Sequence, residues 1–152
     1  AGATTLGIRI EDCAYPAYER IVPDPMRAKH VMRLPEAKRK ELVAGLQSLV
    51  VNPRHHGVLV VLNGAIQMKA FAADGSVSEA KVDVPLEVGA EIEVALNRNY
   101  LVDALDAGAD AMYLTSDAAP VLLRGASIDA VIGPLEKEKV APAASASAAA
   151  AA

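Results

Sequence analysis

Two neighbouring stretches decide the fold class: PEAKRKELVAGLQSLV at residues 35–50 and VLVVLNGAIQMKAFA at residues 58–72. The first begins with a proline, which suits the first helical position, and its large apolar residues recur on one helical face. The second opens with a continuous apolar run typical of a buried strand, and Asn63-Gly64 favours a tight hairpin turn. A helix is therefore predicted before an antiparallel strand pair. The apolar stripe of that helix consists of Leu42, Leu46, Leu49 and Val50.

The flanking segments continue this mixture of strands and helices. Asn97 or Asn99 can cap a second helix, and Gly108 stands where a left-handed residue would end it. Residues 13–25 contain three prolines and predict an extended connector. Alternating or apolar runs predict further strands at residues 4–11, 77–84, 91–94, 111–115, 121–124 and 128–132. The order predicts an α+β fold, with two helices on one face of an antiparallel sheet.

Composition limits the classes of function. The formal net charge is -4 and the sequence pI is about 5.3, so the protein as a whole is not basic enough to grip nucleic acid. One Phe, four Tyr and no Trp leave no aromatic platform for stacking bases. The lone Cys13 cannot form an internal disulfide, and no apolar run approaches the roughly 20 residues of a membrane span. A cytoplasmic location is expected.

Histidine and cysteine provide the candidates for catalysis, but no motif joins them. Adjacent residues of a strand point to opposite faces, so His55 and His56 are not expected to share one metal ion. His30 and Cys13 lie far from them in the sequence. A surface loop is the preferred interpretation of the histidine pair.

Three aspartates close in sequence suggest a cation site but lack its pattern. Asp103, Asp106 and Asp110 have neither the central glycine nor the terminal glutamate of a calcium loop, and their spacing suits a solvated helix face. The chain also lacks a phosphate-binding glycine loop, a serine elbow and a dinucleotide fingerprint. We therefore expect no metal, no cofactor and no enzymatic activity.

The basic run Lys38-Arg39-Lys40 lies near the start of the first predicted helix, where the helix dipole disfavours cations. That placement indicates an anionic partner, and Lys40 points most directly away from the apolar stripe. Lys40 is thus the candidate residue for facing DNA. The alternative is that Glu36 and Glu41 neutralise the run.

Five motifs in order carry a family resemblance: YPAYERIVP at residues 15–23, Asn52 followed after four intervening residues by Gly57-Val58, NYLVDAL at residues 99–105, a hairpin over residues 114–123, and DAVIGPL at residues 129–135. Together they cover roughly residues 4–135. The chain resembles the third, C-terminal domain of the bacterial DNA polymerase III beta subunit, the sliding clamp.

The resemblance implies a DNA-clamp-like fold and a function. Residues 1–23 would be the final strand of a preceding clamp-like domain and a connector, residues 24–136 the clamp-like domain, and residues 137–152 a low-complexity tail. The implied function is that of a polymerase processivity factor: a homo-oligomer or part of a ring, contacting duplex DNA weakly and without sequence specificity, and docking peptide motifs of replication and repair proteins. The alternative is a clamp-fold interaction or decoy protein that no longer encircles DNA.

The family's site residues can be transferred to this sequence. Two departures affect them, because Gly133 replaces a large apolar residue and Glu136 reverses the charge of an arginine. Leu49 and Val50 are assigned to an oligomer interface. The alternative is that the apolar cleft residues simply close the core. The implied peptide-binding cleft consists of Pro16, Arg20, Ile21, Ala118, Pro120, Val131, Ile132, Gly133, Pro134 and Leu135.

Overall fold

A computed structural model describes residues 22–141 of the chain. Within that range the chain forms eight strands, two longer helices and two short helical turns. The helices are α1 (Glu36–Ser48), α2 (Arg98–Asp106) and the single turn α3 (Lys137–Val140), and a 3₁₀ turn covers Pro25–Arg27. The strands are β1 (His30–Arg33), β2 (Gly57–Leu62), β3 (Ile66–Phe71), β4 (Val77–Val82), β5 (Ile92–Asn97), β6 (Ala109–Leu114), β7 (Val121–Gly125) and β8 (Asp129–Ile132).

Both predicted helices are confirmed. Pro35 occupies the N-cap of α1 rather than its first helical position, and α1 ends at Ser48, before Leu49 and Val50. The side chain of Asn97 caps α2 by accepting hydrogen bonds from two backbone N–H groups of its first turn. Gly108 follows α2 with a φ of 108°, in the left-handed region that glycine tolerates. The three leucines of the first stripe are buried in one core with Leu101, Ala104 and Leu105 of α2, whereas Val50 is exposed.

The strands form two antiparallel four-stranded sheets, in the orders β1-β6-β7-β8 and β4-β3-β2-β5. The α+β class and the antiparallel pairing are confirmed, whereas the expectation of one sheet is wrong. The reason is an exchange of strands. The elements β1-α1-β2-β3-β4 and β5-α2-β6-β7-β8 repeat one order, and the first strand of each repeat joins the sheet of the other.

The two helices lie side by side and run antiparallel, each end tied to the other helix by an arginine. Arg39 of α1 donates a hydrogen bond from Nη1 to the carbonyl oxygen of Gly108, just past the end of α2, at 3.2 Å. Arg98, the first residue of α2, donates from Nη1 to the carbonyl oxygen of Leu49, at the end of α1, at 2.7 Å. These bonds satisfy carbonyl groups that helix ends leave without a partner.

Strand β1, helix α3 and the 3₁₀ turn were not predicted. Strand β1 pairs with β6 in a region for which the sequence suggested no element. Helix α3 lies in the predicted tail, yet its Val140 is only 1% exposed and packs with Leu59, Phe71 and Ala95. Residues 137–140 therefore belong to the folded domain. The predicted strand at 4–11, most of the connector and residues 142–152 lie outside the described residues.

Candidate docking site

The described residues of the predicted cleft lie at one end of the sheet that contains β8. Val131 is half-buried and Ile132 is buried, both in β8. The strand ends there because Gly133 and Pro134 follow, and proline has no N–H to donate to a ladder. Ala118 is exposed between β6 and β7, and Pro120 is half-buried before β7. The other predicted members, Pro16, Arg20 and Ile21, lie outside the described residues.

Three predicted cleft residues meet in a depression of about 320 Å³, here called the C-terminal hollow. Ala118, Pro134 and Leu135 supply its apolar surface. The N–H of Leu135 donates to the carbonyl oxygen of Ala95 at 2.8 Å, which fixes this segment against β5. The rest of the lining is charged and consists of Asp117, Glu136, Lys137 and Glu138.

Val131 and Ile132 line a second depression, of about 350 Å³, between α2 and β8. Its surface is mostly apolar, and Tyr100 of α2 stands at its edge with 61% of its surface exposed. We call it the α2–β8 groove. The predicted cleft residues are therefore divided between two depressions. Between them in the sequence, Gly133 is exposed, and a Cβ added to it would meet nothing within 4 Å.

One lysine holds α3 beside the C-terminal hollow. Lys137 Nζ lies 2.8 Å from Asp117 Oδ2, in the turn between β6 and β7, and 3.8 Å from Glu93 Oε1, in β5. The hydrogen bond and the positive charge of Lys137 lower the pKa of Asp117 below its ordinary value. The charge at Glu136 is met by Lys139, whose Nζ lies 3.0 Å from Glu136 Oε2. Sequence reasoning missed this anchor because it joins residues far apart in the chain.

The predicted DNA-facing residue, Lys40, is exposed on α1. Its Nζ lies 3.2 Å from Glu36 Oε1, and both side chains are more than two-thirds exposed. Lys38 pairs in the same way with Glu41 at 3.4 Å. The two lysines of the basic run are thus paired with Glu41 and Glu36, whereas Arg39 donates to the carbonyl oxygen of Gly108. A role for Lys40 at DNA stays a prediction.

The two residues predicted for an oligomer interface differ in exposure. Leu49 is only 3% exposed and belongs to the core, so it offers no side-chain surface to a partner. Val50 is 58% exposed, and its N–H donates to Ser78 Oγ at 2.9 Å. The residue before Ser78 is Val77, 49% exposed at the start of β4, and its side chain points to the opposite face of the sheet from that of Ser78. We call these two exposed valines, which adjoin β4 separately, the β4-edge patch.

The histidines occupy separate structural positions. His30 begins β1, and its Nδ1 lies 2.9 Å from the carbonyl oxygen of Ala90. His55 Nδ1 accepts a hydrogen bond from the N–H of Gly57 at 2.8 Å, and burial lowers the pKa of His55. His56 has a φ of 52°, and its buried Nδ1 has no hydrogen-bond partner. Over residues 22–141, no group of three or more His, Cys, Asp or Glu could hold a metal ion.

Comparison with solved structures identifies the fold. The Pseudomonas aeruginosa DNA polymerase sliding clamp, solved with a ligand, superposes with a TM-score of 0.69 at 24% identity, covering 83% of this chain and 35% of that one. The Bartonella birtlesii clamp bound to griselimycin gives 0.72 at 18% identity, covering 83% and 35%. The Caulobacter crescentus beta sliding clamp gives 0.71 at 19% identity, covering 83% and 34%. The chain thus has the fold of a sliding-clamp domain and spans about a third of those proteins.

Sequence comparisons add no relative. No protein-family model matches the chain, and no curated protein matches it. Among the described residues, no helix is long and apolar enough to cross a membrane.

Proposed function

We propose that this chain is a non-catalytic docking module of DNA replication. It takes the place of a sliding-clamp C-terminal domain, joins similar domains edge to edge in a ring, and receives short apolar peptides of replication and repair proteins. The observation that carries the proposal is the clamp-domain fold, together with the apolar α2–β8 groove and the partly apolar C-terminal hollow, where the clamp resemblance implies a docking cleft.

The apolar surface suits peptide side chains. Pro134 and Leu135 are half-buried, so each is partly covered and still offers surface to a ligand. The α2–β8 groove offers separate apolar surface at Val131 and at the exposed ring of Tyr100. Concave apolar surfaces with a few polar groups at the rim are typical of ligand sites.

The decisive variant is Gly133→Met. The position is open, and its φ is outside the left-handed region, so a side chain fits without strain. A buried methionine contributes about 1.5–3 kcal/mol. We expect a peptide with two leucines and a phenylalanine to bind the wild-type chain with a dissociation constant of tens of micromolar or weaker, and the variant about tenfold more tightly.

Amide chemical shifts of the full chain, titrated with that peptide, measure the effect. Ala73→Met is the control, because it adds the same side chain at an exposed turn between β3 and β4. Arg20→Ala should weaken binding while leaving thermal stability nearly unchanged. If millimolar peptide shifts no residue from Ala118 or from Val131 to Leu135, the docking function is wrong.

The β4-edge patch supports the ring-forming part of the proposal. Within residues 22–141 no strand lies beside the outer edge of β4, and the exposed Val50 and Val77 adjoin it. Strand edges with apolar neighbours readily pair with another chain. Val50→Asp should shift any association of the full chain toward monomer in sedimentation velocity, and Met26→Asp, at a 90% exposed position, is the control. Equal association of the two variants would contradict the assignment.

The second candidate, a clamp-fold interaction or decoy protein that no longer encircles DNA, is favoured by the charges on the helices. Lys40 and Lys38 are each paired within α1, while Asp103 and Asp106 are exposed on α2. A face of that kind attracts phosphates weakly. Duplex binding that is detectable at low salt and falls steeply as salt rises would favour the clamp function. No binding at low salt would favour the decoy.

A further inference from the structure

Helix α3 packs against the rest of the domain and forms one wall of the C-terminal hollow. Val140 is seated over Gly57, where an added Cβ would lie 2.5 Å from Val140 Cγ2 and 3.1 Å from Leu135 Cδ1. Glycine leaves room for Val140 here without any shift of its neighbours. Lys137 of α3 also forms ion pairs with Asp117 and Glu93. The position of the wall is therefore fixed by both apolar packing and charge.

That wall makes the hollow acidic. Its charged lining consists of the carboxylates of Asp117, Glu136 and Glu138 and the ammonium of Lys137. Lys137 is shared between Asp117 and Glu93, and Lys139 pairs with Glu136; Glu93 and Lys139 lie outside the lining. Counting both neighbours, four negative charges face two positive charges. Among the ion pairs of residues 22–141, none involves Glu138. The hollow thus combines an apolar floor with negative charge that its own lysine does not balance.

We infer that the C-terminal hollow selects peptides that carry lysine or arginine next to their apolar residues, and that Glu136 and Glu138 determine this choice. The inference rests on the proposed docking function and specifies its partner. Ala118, Pro134 and Leu135 receive the apolar side chains. The carboxylates in the same lining attract a cation of the peptide and repel a carboxylate of the peptide, because like charges at an interface disfavour a wrong partner.

The size of the selectivity follows from exposure. Glu136 is 67% exposed at its side chain, and a solvent-exposed ion pair contributes modestly. Two such exposed pairs predict a preference of roughly twofold to thirtyfold. Salt should abolish it, because the screening length falls from about 10 Å at 0.1 M to about 3 Å at 1 M.

Two fluorescent peptides test the inference on the full chain. They share a core of two leucines and a phenylalanine, have blocked ends, and differ only in flanking residues, which are two lysines or two glutamates. Fluorescence anisotropy gives both dissociation constants at about 0.1 M and about 1 M salt. We expect the lysine peptide to bind at least about twofold more tightly at low salt, and the two to bind equally at high salt.

Charge variants identify the residues responsible. The double variant Glu136→Gln with Glu138→Gln should remove the preference. The control variant, Asp106→Asn with Asp110→Asn, removes the same amount of charge near the opposite end of β6. This control should keep the preference for the lysine peptide. Equal binding of both peptides at low salt, or a preference that survives in the Glu136/Glu138 variant, overturns the inference while the docking function stands. Binding of neither peptide overturns both.

Discussion

The two halves of the domain repeat one order of elements but differ in how closely the helix meets the sheet. In the first half, a Cβ added to Gly45 of α1 would lie 3.2 Å from Met68 Cε and 3.4 Å from Ala80 Cβ, so helix and sheet are already in close contact. In the second half, α2 and β8 leave a groove of about 350 Å³ beside the exposed Tyr100. The shared topology therefore fixes where the helices lie, and side-chain size decides which half keeps open apolar surface.

A second difference concerns the outer surfaces. Helix α3 covers Leu59 and Phe71, on the outer face of the β4-β3-β2-β5 sheet. It also contacts β5, the strand that the second half contributes to this sheet. Lys137 then ties α3 to Asp117, in a turn of the second half. Because α3 contacts both halves, changes at its seat and at its ion pair test how strongly the halves depend on each other.

The largest effect is expected in the second half, at Gly125. A Cβ added there would collide with the carbonyl oxygen of Gly108, a backbone atom that cannot move without disturbing the end of α2. Gly125→Ala should lower the free energy of unfolding by about 3 kcal/mol, the upper range for overpacking. Urea denaturation measures it. Gly133→Ala, with open space around the added methyl group, is the control and should change stability by less than about 0.5 kcal/mol.

The next effect is expected at the seat of α3. Gly57→Ala would place a methyl group 2.5 Å from Val140 Cγ2 and 2.8 Å from His55 Nδ1, which are side-chain atoms that can move. We therefore expect a smaller loss, about 1–2 kcal/mol. Faster amide exchange should be concentrated at Val140 and Ala141, the end of α3. Uniformly faster amide exchange across both sheets would mean that α3 unfolds only together with the rest of the domain.

A gain in stability is expected at Gly45, in the closely packed first half. Glycine inside a helix costs about 0.5–1 kcal/mol relative to alanine. The new methyl group would press on the methyl group of Met68, the flexible end of a side chain, which can shift by a few tenths of an ångström. Gly45→Ala should thus raise the free energy of unfolding by about 0.5 kcal/mol. A lower free energy of unfolding would instead show that Met68 cannot shift enough to accommodate a methyl group between α1 and the sheet.

Local signals in the sequence predicted most elements. The cap at Asn97 and the left-handed Gly108 mark the ends of α2, and Asn63-Gly64 marks the β2–β3 hairpin, where Gly64 has a φ of 136°. Each signal acts within a few residues. Strand β1 was missed because its four residues, HVMR, show no lasting alternation and become a strand by pairing with β6.

Long-range packing explains the other differences from the sequence analysis. Each sheet contains one strand from the other half, because β1 pairs with β6 and β5 pairs with β2. No local sequence pattern encodes this exchange. The residues KEKV of α3 look like a solvated charge run, and only Gly57 and its apolar neighbours give Val140 a reason to be buried. The adjacency of Ala118 with Pro134 and Leu135 came from the family resemblance, whereas the acidic wall came from the position of α3.

The smallest effect is expected from acid, at the ion pair that joins the halves through α3. Lys137 holds the pKa of Asp117 below its ordinary value of 3.8. A carboxyl group with a lowered folded-state pKa stabilises the fold fully above its unfolded pKa, and this contribution is lost as pH falls through the folded value.

The end of α3 should therefore loosen as pH falls below about 4, while the two sheets stay intact. Amide shifts and exchange rates of Val140 and Ala141, followed from neutral to acid pH, measure this. Asp117→Asn removes the titrating group and should show a looser α3 at neutral pH with little further change from this site in acid. Asp129 is the internal control, because Arg124 lowers its pKa in the same way within the second half alone, so its protonation should disturb β7 and β8 and leave α3 in place. An α3 whose exchange is unaffected both by acid and by Asp117→Asn would show that Val140 alone holds it, and that the two halves are not coupled through Lys137.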